Sequence, residues 1–176
     1  GVVCGGDAGR RVAGVPAEVI EALTPLVVEQ RELATDSGGA GRWRGGLGQV
    51  VRIARRGVGP WAVSAMIDRT GHAAPGASGG VAGARGVFAV SSDPAARPKQ
   101  LASIAPEGQV LLALPGGGGY GAPSSREAKR VLDDVINGYV SPEQARERHG
   151  LIVEYVGDPS DLVKAPERWR ARRVTV

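Results

Sequence analysis

The chain has 176 residues, of which 42% are hydrophobic and 23% charged, and it contains 28 glycines and 12 prolines. This balance excludes a wholly disordered chain, because the apolar surface is enough to offset the entropy of ordering, and the irregular glycine spacing excludes collagen. No apolar stretch approaches the roughly 20 residues needed to cross a bilayer, so we expect neither a membrane span nor a signal peptide. The net charge of +4 includes 19 Arg and 3 Lys, which indicates either polyanion binding or the arginine usage of a GC-rich genome, and we favour the second.

Cysteine and histidine are scarce in this sequence. Cys4 is the only cysteine, so it has no internal disulfide partner, and with only His72 and His149 there are too few soft ligands for a zinc site. We therefore expect an intracellular, cytoplasmic protein, with no metal bound by this segment. The only methionine is Met66, which indicates either a processed product or the C-terminal piece of a longer chain.

Residues 25–115 are predicted to be mainly β. Before them, a helical turn at 16–21 is limited by Pro25. The β region alternates or runs apolar as strands do, with predicted strands at 26–33, 49–56, 61–67, 87–90 and 109–114. Within it, the glycine-rich loop 71–86 is long enough to indicate a functional role or a crossing specific to the fold.

A short amphipathic helix is predicted next. Ser124 and Glu127 have the spacing of a capping box, and Gly138 ends the helical pattern. Its apolar face consists of Ala128, Val131, Leu132, Val135 and Ile136.

A second helix is predicted to begin with Ser141 as N-cap and Pro142 in its first turn, and to end at Gly150. Residues 151–156 are predicted to form a strand or an extended tail. The basic segment 158–176 has the composition of a surface extension.

Together these elements predict an α+β fold. It has a mainly antiparallel or mixed β region over about 25–115, two short helices over about 125–149, and a tail. We predict three units: a glycine-rich β region at 1–122, a two-helix segment at 123–157 and a basic tail at 158–176.

Four consecutive glycines follow the last predicted strand of the β region. They are Gly116, Gly117, Gly118 and Gly119, and we call them the glycine run. A phosphate-binding loop has this position, but no Lys-Ser/Thr pair follows and no helix begins directly from the glycines. We therefore favour the alternative, in which the glycines let the backbone pass close to another backbone or to a partner subunit.

A second glycine cluster, at 36–48, contains two arginines around a tryptophan. The structural interpretation is a tight loop in which Asp36 pairs with Arg42 or Arg44 and Trp43 fills a groove. The alternative is nucleic-acid binding by stacking and phosphate contact, but a single copy of such a motif is weak evidence and we do not favour it.

The two histidines do not indicate a catalytic site by themselves. His72 lies beside Asp68 and Arg69 in a glycine-rich loop, where a surface residue is more common than a catalyst. His149 is predicted to contact the C-terminus of its own helix favourably. The residues assemble no Ser-His-Asp set, paired carboxylates or two-metal site, so the catalytic residues are unknown and the chain is not visibly a complete enzyme.

Three ordered blocks, at 36–48, 115–123 and 131–150, resemble the C-terminal third of the hydantoinase B/oxoprolinase family. The blocks read Asp-Ser-Gly-Gly-Ala-Gly-Arg-Trp-Arg-Gly-Gly-Leu-Gly, Pro-Gly-Gly-Gly-Gly-Tyr-Gly-Ala-Pro, and a Val-x-x-Asp-Val-x-x-Gly-Tyr-Val-Ser-Pro-Glu-x-Ala segment that closes at Gly150. The segment 69–80 is also similar to that family. The resemblance covers about 15–157 and implies that the chain is the C-terminal part of a larger, hydantoinase B-type protein.

The resemblance also implies an activity. Such proteins work with a hydantoinase A-like partner subunit in the ATP-dependent opening of cyclic amides, and the partner activates the amide oxygen by phosphorylation. ATP and a divalent metal are then expected in the full complex. The metal-binding and much of the catalytic apparatus are expected in the N-terminal part of the B-type component, so this chain alone is expected to be inactive. Related ketone carboxylases of the acetone or acetophenone type use similar subunits, and this alternative stays open.

Site residues are predicted in the glycine-rich segments. Asp36, Arg42 and Arg44 are predicted to orient or neutralise anionic groups. His72 is included in the same predicted substrate- or interface-binding set, and the glycine run is predicted to give close backbone approach to a substrate or a subunit interface. Two further alternatives remain: a basic nucleic-acid-binding module that uses 42–56 and the arginines of the tail, and a structural remnant without activity.

Overall fold

The computed structural model describes residues 15–93, 97–158, 160 and 165–174, and within them the α+β prediction is confirmed. The helices are α1 (Ala17–Leu23), α2 (Ala128–Ile136) and α3 (Pro142–His149), with single 3-10 turns at Pro123–Ser125 and Pro166–Arg168. The strands are β1 (Leu26–Leu33), β2 (Gln49–Arg55), β3 (Trp61–Ser64), β4 (Val87–Val90), β5 (Leu101–Ile104), β6 (Val110–Ala113), β7 (Leu151–Tyr155) and β8 (Trp169–Arg173).

The β region is built from one antiparallel sheet and one two-stranded ribbon. The sheet has the order β1-β2-β6-β4, and β3 pairs with β5 in the ribbon. Alternation puts Phe88 and Val90 of β4 inward, where they pack with Ile104 of β5 and Val110 of β6. This core therefore joins the sheet to the ribbon.

The sequence does not predict β5. In this strand the buried positions are Ala102 and Ile104, whereas Leu101 is 72% exposed. A large apolar residue on the solvent face and a small one on the core face hide the alternation that identifies a strand.

The C-terminal unit has its own core. Val131 and Val135 of α2 pack with Ala145 of α3 and with Leu151 and Val153 of β7. The predicted limits of α3 are confirmed by their capping. The Ser141 side chain accepts a hydrogen bond from the Gln144 N–H at 3.1 Å, and Gly150 has φ 64°, the left-handed conformation that favours glycine.

The predicted capping box of α2 is wrong. Ser124 lies in a 3-10 turn, and Glu127 is itself the N-cap residue, with no side-chain capping bond. The Glu127 carboxylate instead pairs with Arg130 at 3.2 Å. The turn that Pro123 begins takes up Ser124, which lies three residues before the N-cap of α2 and therefore cannot cap this helix.

The interpretation of the tail as a surface extension is wrong for Trp169–Arg173. This segment is β8, which pairs antiparallel with β7. Trp169 and Ala171 pack against the C-terminal core, while Arg170 and Arg172 are exposed. The dense run of arginines conceals this alternation in the sequence.

We call the C-terminal unit with α2 and α3 the helical unit. Three glycine-rich segments lie between the sheet and this unit, and they form hydrogen bonds with one another without forming a regular ladder. We call the segments 36–48, 74–86 and 115–121 the glycine bundle. The Gly39 N–H donates to the Gly117 carbonyl at 2.8 Å, and the Gly119 N–H donates to the Val81 carbonyl at 2.9 Å. Most of the loop 71–86 thus packs into the glycine bundle through backbone hydrogen bonds.

None of the helices in the described ranges has the length and apolar character required to cross a membrane.

Candidate functional site

A buried cluster of charges ties the glycine bundle to the helical unit. Arg44 of the bundle pairs with Asp134 of α2 through two contacts, Nε to Oδ2 and Nη2 to Oδ1, each at 3.3 Å. Arg126, just before α2, donates to Asp134 Oδ2 at 2.7 Å. The side chains are 8% exposed for both arginines and 10% for Asp134. We call these three residues the arginine cluster.

The arginine cluster has one more positive charge than negative. Backbone oxygens satisfy some of the guanidinium donors. Arg44 Nη1 donates to the Gly45 carbonyl at 2.9 Å, and Arg126 Nη1 donates to the Arg42 carbonyl at 3.0 Å. The Arg44 guanidinium also lies over the Tyr139 ring, 5.3 Å from its centroid. Arg126 Nε is buried, and no partner for it is found among the described residues. The excess charge is therefore incompletely compensated.

Arg44 also lines a cleft between the glycine bundle and α3. The cleft has a volume of about 250 Å³, and its walls are the backbone of 38–40 and 81–84 on one side and α3 on the other. The polar side chains that line this α3 cleft are Asp36, Arg44, Gln144, Arg148 and His149.

The predicted pairing of Asp36 with Arg42 or Arg44 is wrong. Asp36 Oδ1 accepts from the Ser141 N–H at 2.8 Å, and Asp36 itself has φ 62°. Arg44 instead meets Asp134, which is 90 positions away in the sequence. Asp36 and Arg44 thus each hold the bundle to the helical unit, through separate contacts.

His149 is buried at the cleft, where it ends α3. Its Nδ1 donates to the Pro123 carbonyl at 2.9 Å. The sequence predicted a contact with the C-terminus of its own helix, but His149 instead contacts the turn before α2. Burial lowers the pKa of His149, and the positive charge of Arg126 lowers it further, while the Pro123 carbonyl and Asp134 act in the opposite direction.

The other predicted site residues lie outside the cleft. Trp43 is 49% exposed, so it does not fill a groove; its ring has Arg42 at 6.0 Å and Arg130 at 5.0 Å from the centroid. His72 is exposed in the loop 71–86. Of the residues predicted from the sequence, the structure brings only Asp36 and Arg44 to the α3 cleft.

The glycine run lies inside the glycine bundle. A Cβ at Gly116 would meet the Ser37 carbonyl, and one at Gly118 the Pro75 carbonyl. The close backbone approach predicted for these glycines is confirmed, and the neighbouring backbone belongs to the same chain. Because Gly116, Gly117 and Gly119 donate their N–H groups to carbonyls of the bundle, they are not arranged to hold a phosphate.

The sequence prediction missed Arg126, Asp134, Gln144 and Arg148. One signal was available for Asp134, which lies three residues after Val131 and therefore beside the apolar face of α2. A carboxylate at such a position requires a cation, but nothing in the sequence shows that the cation comes from 90 residues away.

Comparison with known proteins gives a consistent result. The sequence model of the family described as hydantoinase B/oxoprolinase matches residues 8–123. The putative B component of a D-/L-hydantoinase from Pseudomonas sp. (strain NS671) is 31% identical over 144 residues, which cover 78% of this chain and 24% of the relative.

Two solved structures are similar in fold. A nucleotide-free acetone carboxylase superposes with a TM-score of 0.68 at 23% identity, over 89% of this chain and 24% of the other. The ATP-dependent caprolactamase from Pseudomonas jessenii superposes with a TM-score of 0.66 at 26% identity, over 85% of this chain and 27% of the other.

This chain spans about a quarter of the length of the curated relatives it matches. The matched region 8–123 contains the strands of the sheet and the whole glycine bundle, and the pairwise matches extend over most of the chain. The chain belongs to the hydantoinase B/oxoprolinase family.

Proposed function

We propose that this chain is the C-terminal part of a B-type subunit in an ATP-dependent enzyme that opens cyclic amides. The family match carries the proposal, together with relatives that are named as a hydantoinase component and an ATP-dependent caprolactamase. In the proposed reaction, an A-type subunit activates the amide oxygen, water adds to the carbonyl carbon, and the ring C–N bond breaks. The complex is proposed to be cytoplasmic.

The residues that the structure describes do not fit the metal or nucleotide sites that such a reaction needs. The described residues contain no group of three or more His, Cys, Asp or Glu side chains placed to hold a metal. The glycine run uses its N–H groups within the glycine bundle. Following the family resemblance, the proposal assigns ATP and the divalent metal to the A-type subunit and to the N-terminal part of the B-type subunit.

Within that complex, the proposed role of this chain is to present the α3 cleft. Arg44 keeps the role predicted for it, which is to orient or neutralise an anionic group of the substrate or of the partner, whereas Asp36 holds the cleft wall to the start of α3 through the Ser141 N–H. The glycine bundle supports this role because its close backbone contacts and the buried Asp134 fix the position of Arg44.

The test is ATP turnover by the B-type subunit that contains this chain, co-expressed with its A-type subunit. Hydantoin, 5-oxoproline and caprolactam are offered in one series, and acetone with bicarbonate in another. ADP formation that depends on a cyclic amide and accompanies ring opening supports the proposal. ATP hydrolysis only with ketone and bicarbonate would instead establish the carboxylase alternative.

The predicted site residues are tested in the same assay. We expect Asp36→Ala and Arg44→Ala to reduce turnover or assembly, and Arg42→Ala tests the remaining arginine of the predicted set. Unchanged turnover and assembly in all three variants would remove the site from the proposal.

The nucleic-acid alternative stays a prediction with its own test. A basic module that contacts several phosphates loses affinity steeply between about 50 and 200 mM salt. Measured binding of single-stranded DNA or RNA to the chain across this range decides it.

A further inference from the structure

We propose that the α3 cleft binds the oxyanion of a small ligand, a carboxylate or a phosphate. This inference concerns the chain's own binding properties, so it holds whether or not cyclic-amide opening is the activity of the complex. It depends on the charge, the size and the fixed geometry of the cleft.

The charge around the cleft favours an anion. Arg44 and Arg148 line the cleft, and Arg126 lies behind Arg44 in the arginine cluster. Against these three cations there are two carboxylates, Asp134 in the cluster and Asp36 at the cleft wall. One positive charge is left over, and part of it is buried, where solvent and salt screen it weakly.

Arg44 is held in place before any ligand arrives, and Arg148 is exposed at the cleft. Two bonds to Asp134 and the Tyr139 ring fix the Arg44 guanidinium. Arg148 Nε donates to Gln144 Oε1 at 3.3 Å, one turn earlier on α3. This bond does not use the two terminal amino groups of Arg148, which are the groups that pair with a carboxylate or phosphate in a fork.

The size of the cleft restricts the ligand. A volume of about 250 Å³ is below the roughly 300–1,000 Å³ of pockets that hold drug-sized molecules. An inorganic phosphate or a short dicarboxylate fits this space.

Among the residues that the structure describes, Asp36 is the one carboxylate that lines the cleft, and it opposes anion binding. Its replacement by Asn removes the charge but keeps an oxygen that can accept the Ser141 N–H. Asn also tolerates the left-handed conformation of position 36 better than most residues. Asp36→Asn is thus predicted to tighten binding, a direction that a damaged fold would not produce.

The experiment is calorimetric titration of the 176-residue chain with inorganic phosphate and, separately, with glutarate, at low ionic strength. Arg148→Gln is expected to weaken binding about tenfold, since it removes a charge-assisted pair. Asp36→Asn is expected to strengthen binding by about threefold. The control is Arg146→Gln, which removes an exposed arginine on the same helix that does not line the cleft; it should leave the affinity unchanged.

Binding of either probe with this pattern supports the proposal, and the probe that binds more tightly identifies the phosphate or the carboxylate as the source of the oxyanion. Absence of saturable binding for both probes would overturn it. So would an equal loss in Arg146→Gln and Arg148→Gln, because the effect would then be one of net charge and not of the cleft.

Discussion

Asp134 is a single carboxylate that two buried guanidinium groups share, so its removal leaves both of them without a counter-ion. We expect Asp134→Ala to lower the free energy of unfolding by about 3–5 kcal/mol, the usual cost of breaking a buried ion pair. Urea denaturation followed by circular dichroism measures this change.

Asp133→Ala is the matched control for Asp134→Ala. Asp133 pairs with Lys129 at 3.0 Å on the exposed side of α2, with side chains that are 50% and 83% exposed. Its loss should cost no more than about 0.5 kcal/mol. Equal effects of the two variants would show that the arginine cluster adds nothing to stability.

The burial of His149 predicts that the free energy of unfolding depends on pH. Burial lowers its pKa below the ordinary value of 6.5, so in the interval between the two values the unfolded chain binds a proton that the folded chain does not. The free energy of unfolding therefore falls as the pH drops below about 6.5, and it gains nothing further from His149 above that pH. Arg126 adds to this effect, and Asp134 opposes it.

The His149→Gln variant should lose this part of the acid sensitivity in unfolding experiments between pH 7 and pH 5. His72→Gln is the control, because His72 is exposed in the loop 71–86. If both variants keep the pH profile of the parent chain, burial of His149 is not a cause of the acid sensitivity.

At the scale of elements, the glycine bundle depends on backbone contacts that a methyl group would block. We expect Gly116→Ala to destabilise the chain by about 1–3 kcal/mol, since its Cβ would meet the backbone of Ser37, which cannot rotate away as a side chain does. Gly71 has nothing within 4 Å of its Cβ position. Gly71→Ala should therefore be neutral or slightly stabilising, and thermal unfolding of the two variants separates these results.

The helix caps give a second prediction at this scale. Ser141→Ala removes the capping bond of α3 and should cost about 1 kcal/mol. Ser124→Ala changes the serine that the sequence suggested as a cap for α2, and it should change the unfolding free energy by less than about 0.5 kcal/mol. A larger loss at Ser124 than at Ser141 would contradict the capping seen in the structure.

The sequence predicts those elements whose own residues show an apolar pattern or a helix cap. β1 and β4 have the predicted limits because their apolar residues alternate or cluster locally, and α3 has a cap at each end. β5 and β8 were missed, because Leu101 is exposed and arginines mask the inward face of Trp169 and Ala171.

The candidate site was less predictable than the fold. Asp36 and Arg44 were identified from their place in a charged glycine-rich segment, but their true partners are Ser141 and Asp134, each on a different element. Local patterns do not encode such long-range pairs, and the cleft exists only once α3 has packed beside the glycine bundle.

At the scale of the whole molecule, this chain is about a quarter of the length of its curated relatives. We propose that it acts inside a larger assembly, with the N-terminal part of a B-type subunit and an ATP-binding A-type subunit. The part of that assembly that this structure describes contributes the α3 cleft and the glycine bundle that holds Arg44.

The most direct test is the mass and composition of the native complex, purified gently through a tag on the subunit that contains this chain and measured by native mass spectrometry. We predict a heteromer in which an A-type subunit is present and binds ATP. A native complex that contains no nucleotide-binding subunit would contradict this prediction.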